Sequence, residues 1–204
     1  MPTILQIDAS PRAASVSSHL ASKFVAGLKK KDPATKVFHR NTTREKLPYV
    51  DEVVLNAFFS PADTLNADEK QVLALSDTLV DEFLAAEIVV FGVPMWNLGI
   101  PASLKAWVDL VSRAGRTFKY TPTGVETLVP AGKKVYVFEA RGGAYPAGTP
   151  YEAYNQVDPY LRTIFAFFGI TDVTIVHADN QSRSGDVAAQ GVAAAEAQLA
   201  ELLA

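Results

Sequence analysis

Three short segments of this chain carry side chains suited to holding a small anionic or flat molecule. The first is Ser10-Pro11-Arg12-Ala13-Ala14-Ser15-Val16-Ser17-Ser18, which follows the apolar run Ile4-Leu5-Gln6-Ile7 and opens into residues with helical spacing. A helix start leaves its first N–H groups without intrahelical partners, and the helix dipole favours negative charge there, so serines at this place suit a phosphate. Taken alone, a serine-rich turn is more often an ordinary helix cap. Its position directly after a strand is what favours the anion. The second segment, Pro94-Met95-Trp96-Asn97-Leu98-Gly99-Ile100-Pro101, sets apolar and aromatic side chains beside an amide. A flat heteroaromatic ring takes that mixture, apolar atoms against its faces and polar groups at its rim. The third, Ala140-Arg141-Gly142-Gly143, lets backbone N–H groups approach a ligand's edge because side chains are missing.

What is absent narrows the ligand. Neither Gly-x-x-x-x-Gly-Lys-Ser/Thr nor Gly-x-Gly-x-x-Gly occurs after a strand, so a monophosphate is expected rather than a triphosphate or a dinucleotide. The place where a response regulator of similar topology carries its phosphoacceptor aspartate reads Gly92-Val93-Pro94, and no Gly-x-Ser-x-Gly marks a serine hydrolase. There is no cysteine, which excludes disulfides, thiolate metal sites, iron–sulfur clusters and a thiol nucleophile. The three histidines, His19, His39 and His177, form no metal-binding pair at short spacing; no metal is expected, and none is given a catalytic role. Redox chemistry would therefore need a borrowed cofactor. With 19 Lys and Arg against 22 Asp and Glu, net −3, the chain lacks the basic excess of a nucleic-acid binder. No stretch approaches the ~20 apolar residues of a membrane span, and the first residues lack an export signal, so the expectation is a cytoplasmic protein with no membrane partner.

The elements that must position these loops can be read from periodicity. Ile4–Ile7, Lys36–His39, Ile88–Gly92, Lys134–Phe138 and Asp172–Val176 are expected strands. Helical spacing covers Ser17–Lys30, Asp68–Ala86, a segment beginning near Pro101, the aromatic-rich Tyr151–Phe168, and the alanine-rich Val187–Leu203. Arg40 to about Leu65 reads as a long loop carrying the aromatic insertion Ala57-Phe58-Phe59-Ser60-Pro61, and Thr117–Val129 as a hairpin around Thr121-Pro122-Thr123-Gly124. Alternating strands and helices with no internal repeat or linker imply one α/β domain over residues 1–204. The expected architecture is a flavodoxin-like, doubly wound, five-stranded parallel sheet of order 2-1-3-4-5 with helices on both faces. In such a sheet ligands bind beyond the carboxyl ends of the strands, which is where the three loops fall.

With these segments in place, the sequence resembles the FMN-dependent NADH-azoreductase family, also described as FMN-dependent NADH:quinone oxidoreductases. The resemblance rests on Ser10-Pro11-Arg12 through Ser17, Pro94 through Pro101, Leu104-Lys105 to Val111, Ala114-Gly115 with Thr117-Phe118-Lys119-Tyr120, and Arg141-Gly142-Gly143, in order and spacing over nearly the whole chain. It implies bound FMN, with NADH or NADPH as electron donor and a quinone or aromatic azo compound as acceptor, in a ping-pong reaction. It implies Ser10, Ser15, Val16 and Ser17 at the FMN phosphate. Met95, Trp96, Asn97 and Leu98 would border the isoalloxazine, with Ala140, Arg141, Gly142 and Gly143 along its pyrimidine side. No side chain is assigned as catalytic, because the flavin carries the hydride; Asn97 and Tyr120 have pocket roles. Phe59 and Tyr120 are expected at the substrate, and a homodimer is expected to share the pocket. This sequence departs from the family pattern in Ala140, often Ser; in Val16, which can be polar; and in Phe59, near a position that can be Arg. Arg141 and Lys119 are the basic residues expected near the donor's entrance. A flavodoxin-type electron carrier, passing electrons only to partner proteins, is the alternative reading.

Overall fold

A computed structural model describes residues 2–204. Strands β1 (Thr3–Asp8), β2 (Lys36–Asn41), β3 (Ile88–Pro94), β6 (Lys134–Ala140) and β7 (Asp172–Ala178) form one parallel sheet in the order β2-β1-β3-β6-β7. Strands β4 (Phe118–Thr121) and β5 (Gly124–Thr127) form a separate antiparallel hairpin. Leaving out that hairpin, the sheet order is the expected 2-1-3-4-5, a flavodoxin-like α/β arrangement. Helices α1 (Val16–Lys31), α2 (Glu52–Phe59), α3 (Ala67–Ala85), α4 (Ala102–Val111), α5 (Val157–Phe167) and α6 (Asp186–Leu203) complete it.

Period-two alternation divides the core into two layers. Val89, Phe91 and Val93 of β3, with Val135 and Val137 of β6, face Leu79 and Phe83 of α3, Leu104 and Trp107 of α4, and Leu161 and Phe165 of α5. Their neighbours Ile88, Val90, Tyr136 and Phe138 face Leu20 and Phe24 of α1 and Leu199 of α6 on the other side. Because both faces are covered, β3 reads as an unbroken apolar run rather than an alternating one. Trp107 lies edge-on to Phe83 and Phe91, with centroids 5.7 and 5.6 Å away. The parallel register carries the loops after β1, β3 and β6 to the same edge of the sheet, at the point where the chain reverses its winding between β1 and β3.

The structure corrects two expected elements. Arg40–Leu65 is not a continuous loop: Glu52–Phe59 is helix α2, capped by Asp51, whose carboxylate accepts from Val54 N at 3.0 Å. Its periodicity is short, so only Val54 and Ala57 are buried, and contact with α3 stabilises what eight residues alone would not. Tyr151–Phe168 is not one helix either. A 3₁₀ turn covers Glu152–Tyr154, and α5 starts only at Val157, where Asn155 Oδ1 accepts from Asp158 N at 3.2 Å. Pro159 falls in the first turn of α5, where its missing N–H costs no helix bond.

Candidate flavin site

The serine loop forms a cup. Ser15 is the N-cap of α1 and its Oγ accepts from Ser18 N at 3.3 Å. The first intrahelical bond runs from His19 N to Ser15 O, which leaves the N–H groups of Val16 and Ser17 without helix partners. No acidic residue occupies this first turn, so the positive end of the helix is not neutralised. Ser10 Oγ accepts from Arg12 N at 3.3 Å and closes the loop upstream. Ser17 is fully buried, and its hydroxyl lies 3.1 Å from Ser15 Oγ. Its side chain therefore braces the cup rather than lining it.

The loop after β3 is held in an unusual conformation. Trp96 and Gly99 exchange both backbone hydrogen bonds, 2.9 and 3.1 Å, and the two residues between them have left-handed backbones, Asn97 at φ 47° and Leu98 at φ 72°. For leucine that conformation costs roughly 1–2 kcal/mol, and strain of this kind persists only where the surroundings impose it. Gln156 N donates to Leu98 O at 3.1 Å and anchors the turn to the segment ahead of α5. The turn leaves the Trp96 indole half exposed.

In the loop after β6, the carbonyls of Arg141, Gly142 and Gly143 accept from Gln181, Ser182 and Asn180 N–H groups at 3.0, 3.2 and 3.3 Å. The N–H groups of Gly142 and Gly143 make no hydrogen bond among the described residues. A Cβ on Gly142 would come within 2.6 Å of Ser182 Oγ and 3.3 Å of Ser182 Cβ, so an added side chain would turn the Ser182 hydroxyl away.

These three loops meet around a cavity of about 280 Å³ lined by Ser10, Arg12, Ser15, Val16, Met95, Trp96, Ala140, Arg141 and Gly142, with Gln181 and Ser182 contributed by the loop after β7. Trp96 also lines a wider cavity of about 630 Å³, to which Asn97 contributes. Its wall includes Thr42, Thr43, Lys46 and Tyr49, which sequence reasoning missed because they belong to the segment read as featureless loop. Gly143 and Leu98 sit next to lining residues but do not line either cavity.

Two expected residues are not brought to the site by their own chain. Phe59 ends α2 and is 72% exposed; Tyr120 lies on β4, is 73% exposed, and touches Phe118 edge-on. Nor does either basic residue stand free at the entrance. Arg141 is buried with its Nε donating to Asp179, and Lys119 pairs with Glu126 across the hairpin at 3.1 Å.

Behind the β6 loop lies a cluster that the sequence reading did not assign. Glu139 is completely buried, with Arg141 Nη1 3.8 Å and His177 Nε2 3.4 Å away, and His177 Nε2 is also 3.0 Å from Asp158 Oδ2. Burial, then the charge of Asp158, push the Glu139 carboxyl up to about 8 against the opposing pull of Arg141. Burial alone would raise Asp158, but its bond to His177 and that residue's charge outweigh it and hold it below the usual carboxylate range. His177, given no catalytic role from the sequence, is the next-to-last residue of β7. One signal was available: a glutamate inside Val135-Tyr136-Val137-Phe138-Glu139-Ala140, a strand buried on both faces.

The comparisons with known proteins agree with this geometry. The family model described as flavodoxin-like fold matches residues 2–203. An FMN-dependent NADH:quinone oxidoreductase from a Nostoc species is 43% identical over 100% of this chain and 99% of its own length. The corresponding Azospirillum brasilense protein is 41% identical over 96% and 95%. This chain belongs to the flavodoxin-like FMN-dependent NADH:quinone oxidoreductase family. Among solved members, the azoreductase from Bacillus anthracis str. Sterne superposes with a TM-score of 0.89 at 33% identity, covering 100% of this chain and 99% of that one. An FMN-dependent NADH-azoreductase from Bacillus anthracis str. Ames Ancestor, crystallised in complex with FMN, gives 0.88 at 27% identity with full coverage of both chains. The family's cofactor fits the residues present. An uncompensated helix start with a serine cap meets an anion, an apolar wall meets a ring, and two glycine N–H groups without protein partners meet a polar rim.

Proposed function

We propose that this chain is an FMN-dependent oxidoreductase that moves two electrons from NADH or NADPH to quinones and aromatic azo compounds, the oxidised nicotinamide leaving before the acceptor enters. The supporting observation is the convergence of three loops from β1, β3 and β6 on one cavity, with phosphate-binding groups at one end and ring-binding groups at the other. FMN, when bound, supplies the redox chemistry by taking a hydride equivalent from the nicotinamide and passing the electrons on.

The protein's own contribution is position and field. Ser10, Ser15 and the N–H groups of Val16 and Ser17 would hold the phosphate, where the dipole of α1 adds to their hydrogen bonds. Met95 and Trp96 would form the apolar wall, and the strained turn at Asn97 and Leu98 sets the angle of the indole between the two cavities. The Gly142 and Gly143 N–H groups would donate to the pyrimidine rim and favour negative charge there. No side chain is needed as nucleophile or metal ligand in this reaction.

Phe59 and Tyr120 reach the pocket in this proposal only from a second copy of the chain, so the active form is a homodimer with a shared acceptor site. Reduced nicotinamides are intracellular substrates, which places the reaction in the cytoplasm; no helix among the described residues is long and apolar enough to cross a membrane. The chain works as one flavin-binding unit.

Stopped-flow mixing of the flavin-loaded protein with NADH or NADPH, without acceptor, should bleach the yellow absorbance. Adding a quinone or azo dye should then restore it, with steady turnover and no partner protein. Failure of both nicotinamides to bleach the flavin refutes the proposal. Bleaching followed by reoxidation only through a partner protein would assign an electron carrier instead.

A further inference from the structure

We propose that Glu139, Asp158 and His177 form a binding site for a divalent transition-metal cation of the zinc type, behind the flavin loop and separate from the flavin cavity. The three residues come from the end of β6, the first turn of α5 and the end of β7. One ligand atom from each lies within 4.8 Å of the others.

The spacing is close to that of a coordination sphere. Zinc bound to nitrogen and oxygen at ~2.0–2.2 Å in a tetrahedron holds neighbouring ligand atoms ~3.3–3.6 Å apart. His177 Nε2 stands 3.4 Å from Glu139 Oε2, and 3.0 and 3.2 Å from the two Asp158 oxygens. The two contacts to Asp158 are hydrogen-bond distances, so a cation would replace that bond and part the two side chains by a few tenths of an ångström.

The second, independent observation is the state of Glu139. It is completely buried, and neither carboxylate oxygen accepts a hydrogen bond from any donor among the described residues. A buried carboxyl group with no donor on either oxygen is costly, and a bound cation would supply the partner that both oxygens lack. Arg141 does not serve: its Nη1 is 3.8 Å away, beyond hydrogen-bond distance, and its Nε is committed to Asp179. As a metal ligand His177 would be neutral, which leaves one guanidinium facing the carboxyl groups of Glu139, Asp158 and Asp179, and a dication would supply the missing positive charge.

The donor set selects the metal. An imidazole with two carboxylates and no thiolate suits zinc and its first-row neighbours, whereas magnesium and calcium prefer all-oxygen shells. Asp158 and His177 also line a cavity of about 460 Å³ with Asn155 and Arg162, which leaves a fourth position open to water. Three ligands from β6, β7 and α5 would tie together the elements that support Arg141–Gly143. The site is thus a brace for that loop, with no part in electron transfer.

The test uses flavin-loaded protein stripped with chelator, then given zinc chloride or, as control, magnesium chloride. After desalting, emission spectroscopy should find about one zinc per chain and no magnesium. With free zinc at 100 times its Kd, linkage should raise the melting temperature by roughly 5–11 °C. His177→Ala and Asp158→Asn should each lose both the retained zinc and the shift. X-ray absorption on the wild-type protein should show one imidazole with oxygen ligands, a readout that holds even if a variant folds poorly. No retained zinc in the wild type, an undiminished shift in both variants, or a shell of several imidazoles would overturn the proposal.

Discussion

Gly92→Ala adds one methyl group where the sheet and the phosphate cup are closest. A Cβ at Gly92 would lie 2.6 Å from Asp8 Oδ1 and 3.0 Å from both the Ser17 carbonyl oxygen and Ser18 Cα. Asp8 cannot swing away freely, because its Oδ2 is held by His39 at 2.6 Å and by Gln6 at 3.2 Å. The other two contacts are backbone of the first turn of α1, so the methyl must push that turn off β3 by a few tenths of an ångström. Overpacking of this kind costs about 1–3 kcal/mol. For a chain of this length that lowers the melting temperature by roughly 2–12 °C. The displaced turn carries Ser15 and the free N–H groups of Val16 and Ser17, so FMN affinity should fall as well, by about tenfold for each ~1.4 kcal/mol lost at the phosphate. The assay is a thermal melt of the flavin-free protein together with an FMN titration by fluorescence quenching. Gly99→Ala is the control: nothing lies within 4 Å of its Cβ, and its melting temperature should equal wild type or exceed it by up to ~4 °C. If Gly92→Ala melts within about 1 °C of wild type and binds FMN equally well, the close approach of α1 to β3 does not set the phosphate site.

Ser15→Ala removes the N-cap of α1 and the partner of the Ser17 hydroxyl, and should cost about 1 kcal/mol in a urea melt of the flavin-free protein. Ser15→Thr, which keeps the capping oxygen, should recover most of it. Leu98→Gly relieves a left-handed leucine backbone at the expense of greater freedom in the unfolded chain, so its melting temperature should equal wild type or exceed it by up to ~4 °C. A clear fall would show that the Leu98 side chain outweighs its strain. Burial lowers Lys133 to about 8, with Glu87 opposing, while its Nζ donates to the Ala86 carbonyl at the end of α3. The unfolded chain binds this proton up to about 10.5, so between pH 8 and 10.5 it holds more protons than the folded one, and stability should rise with pH relative to Lys133→Met. The slope is at most about 1.4 kcal/mol per pH unit; urea melts of both proteins across that range check its sign, and a falling difference refutes the assignment.

Much of the site could be read in advance because it is built from continuous segments. Apolar runs such as Ile88–Val93 declare strands buried on both faces, and the serine, Met-Trp-Asn and glycine loops each follow such a strand directly. Parallel topology then carries all three to one edge. Helix α2 was not legible, since eight residues with two buried positions give little periodicity and the helix depends on contact with α3. The wall formed by Thr42, Thr43 and Tyr49 was hidden for a related reason: residues without a repeating pattern reveal their neighbours only after the chain has folded around them.

Residue types and their order along the chain therefore determined the doubly wound sheet and its cofactor loops, because hydrophobic period and helix-start chemistry are local properties. Tertiary structure alone decided that Phe59 and Tyr120 are exposed and line neither cavity, that Arg141 is buried rather than free at the entrance, and that Glu139, Asp158 and His177 meet. Those three residues lie on separate elements and share no spacing rule. Only the packing of α5 against the pairing of β6 with β7 brings them within a few ångströms of one another, with Glu139 fully buried and the other two at the wall of a cavity.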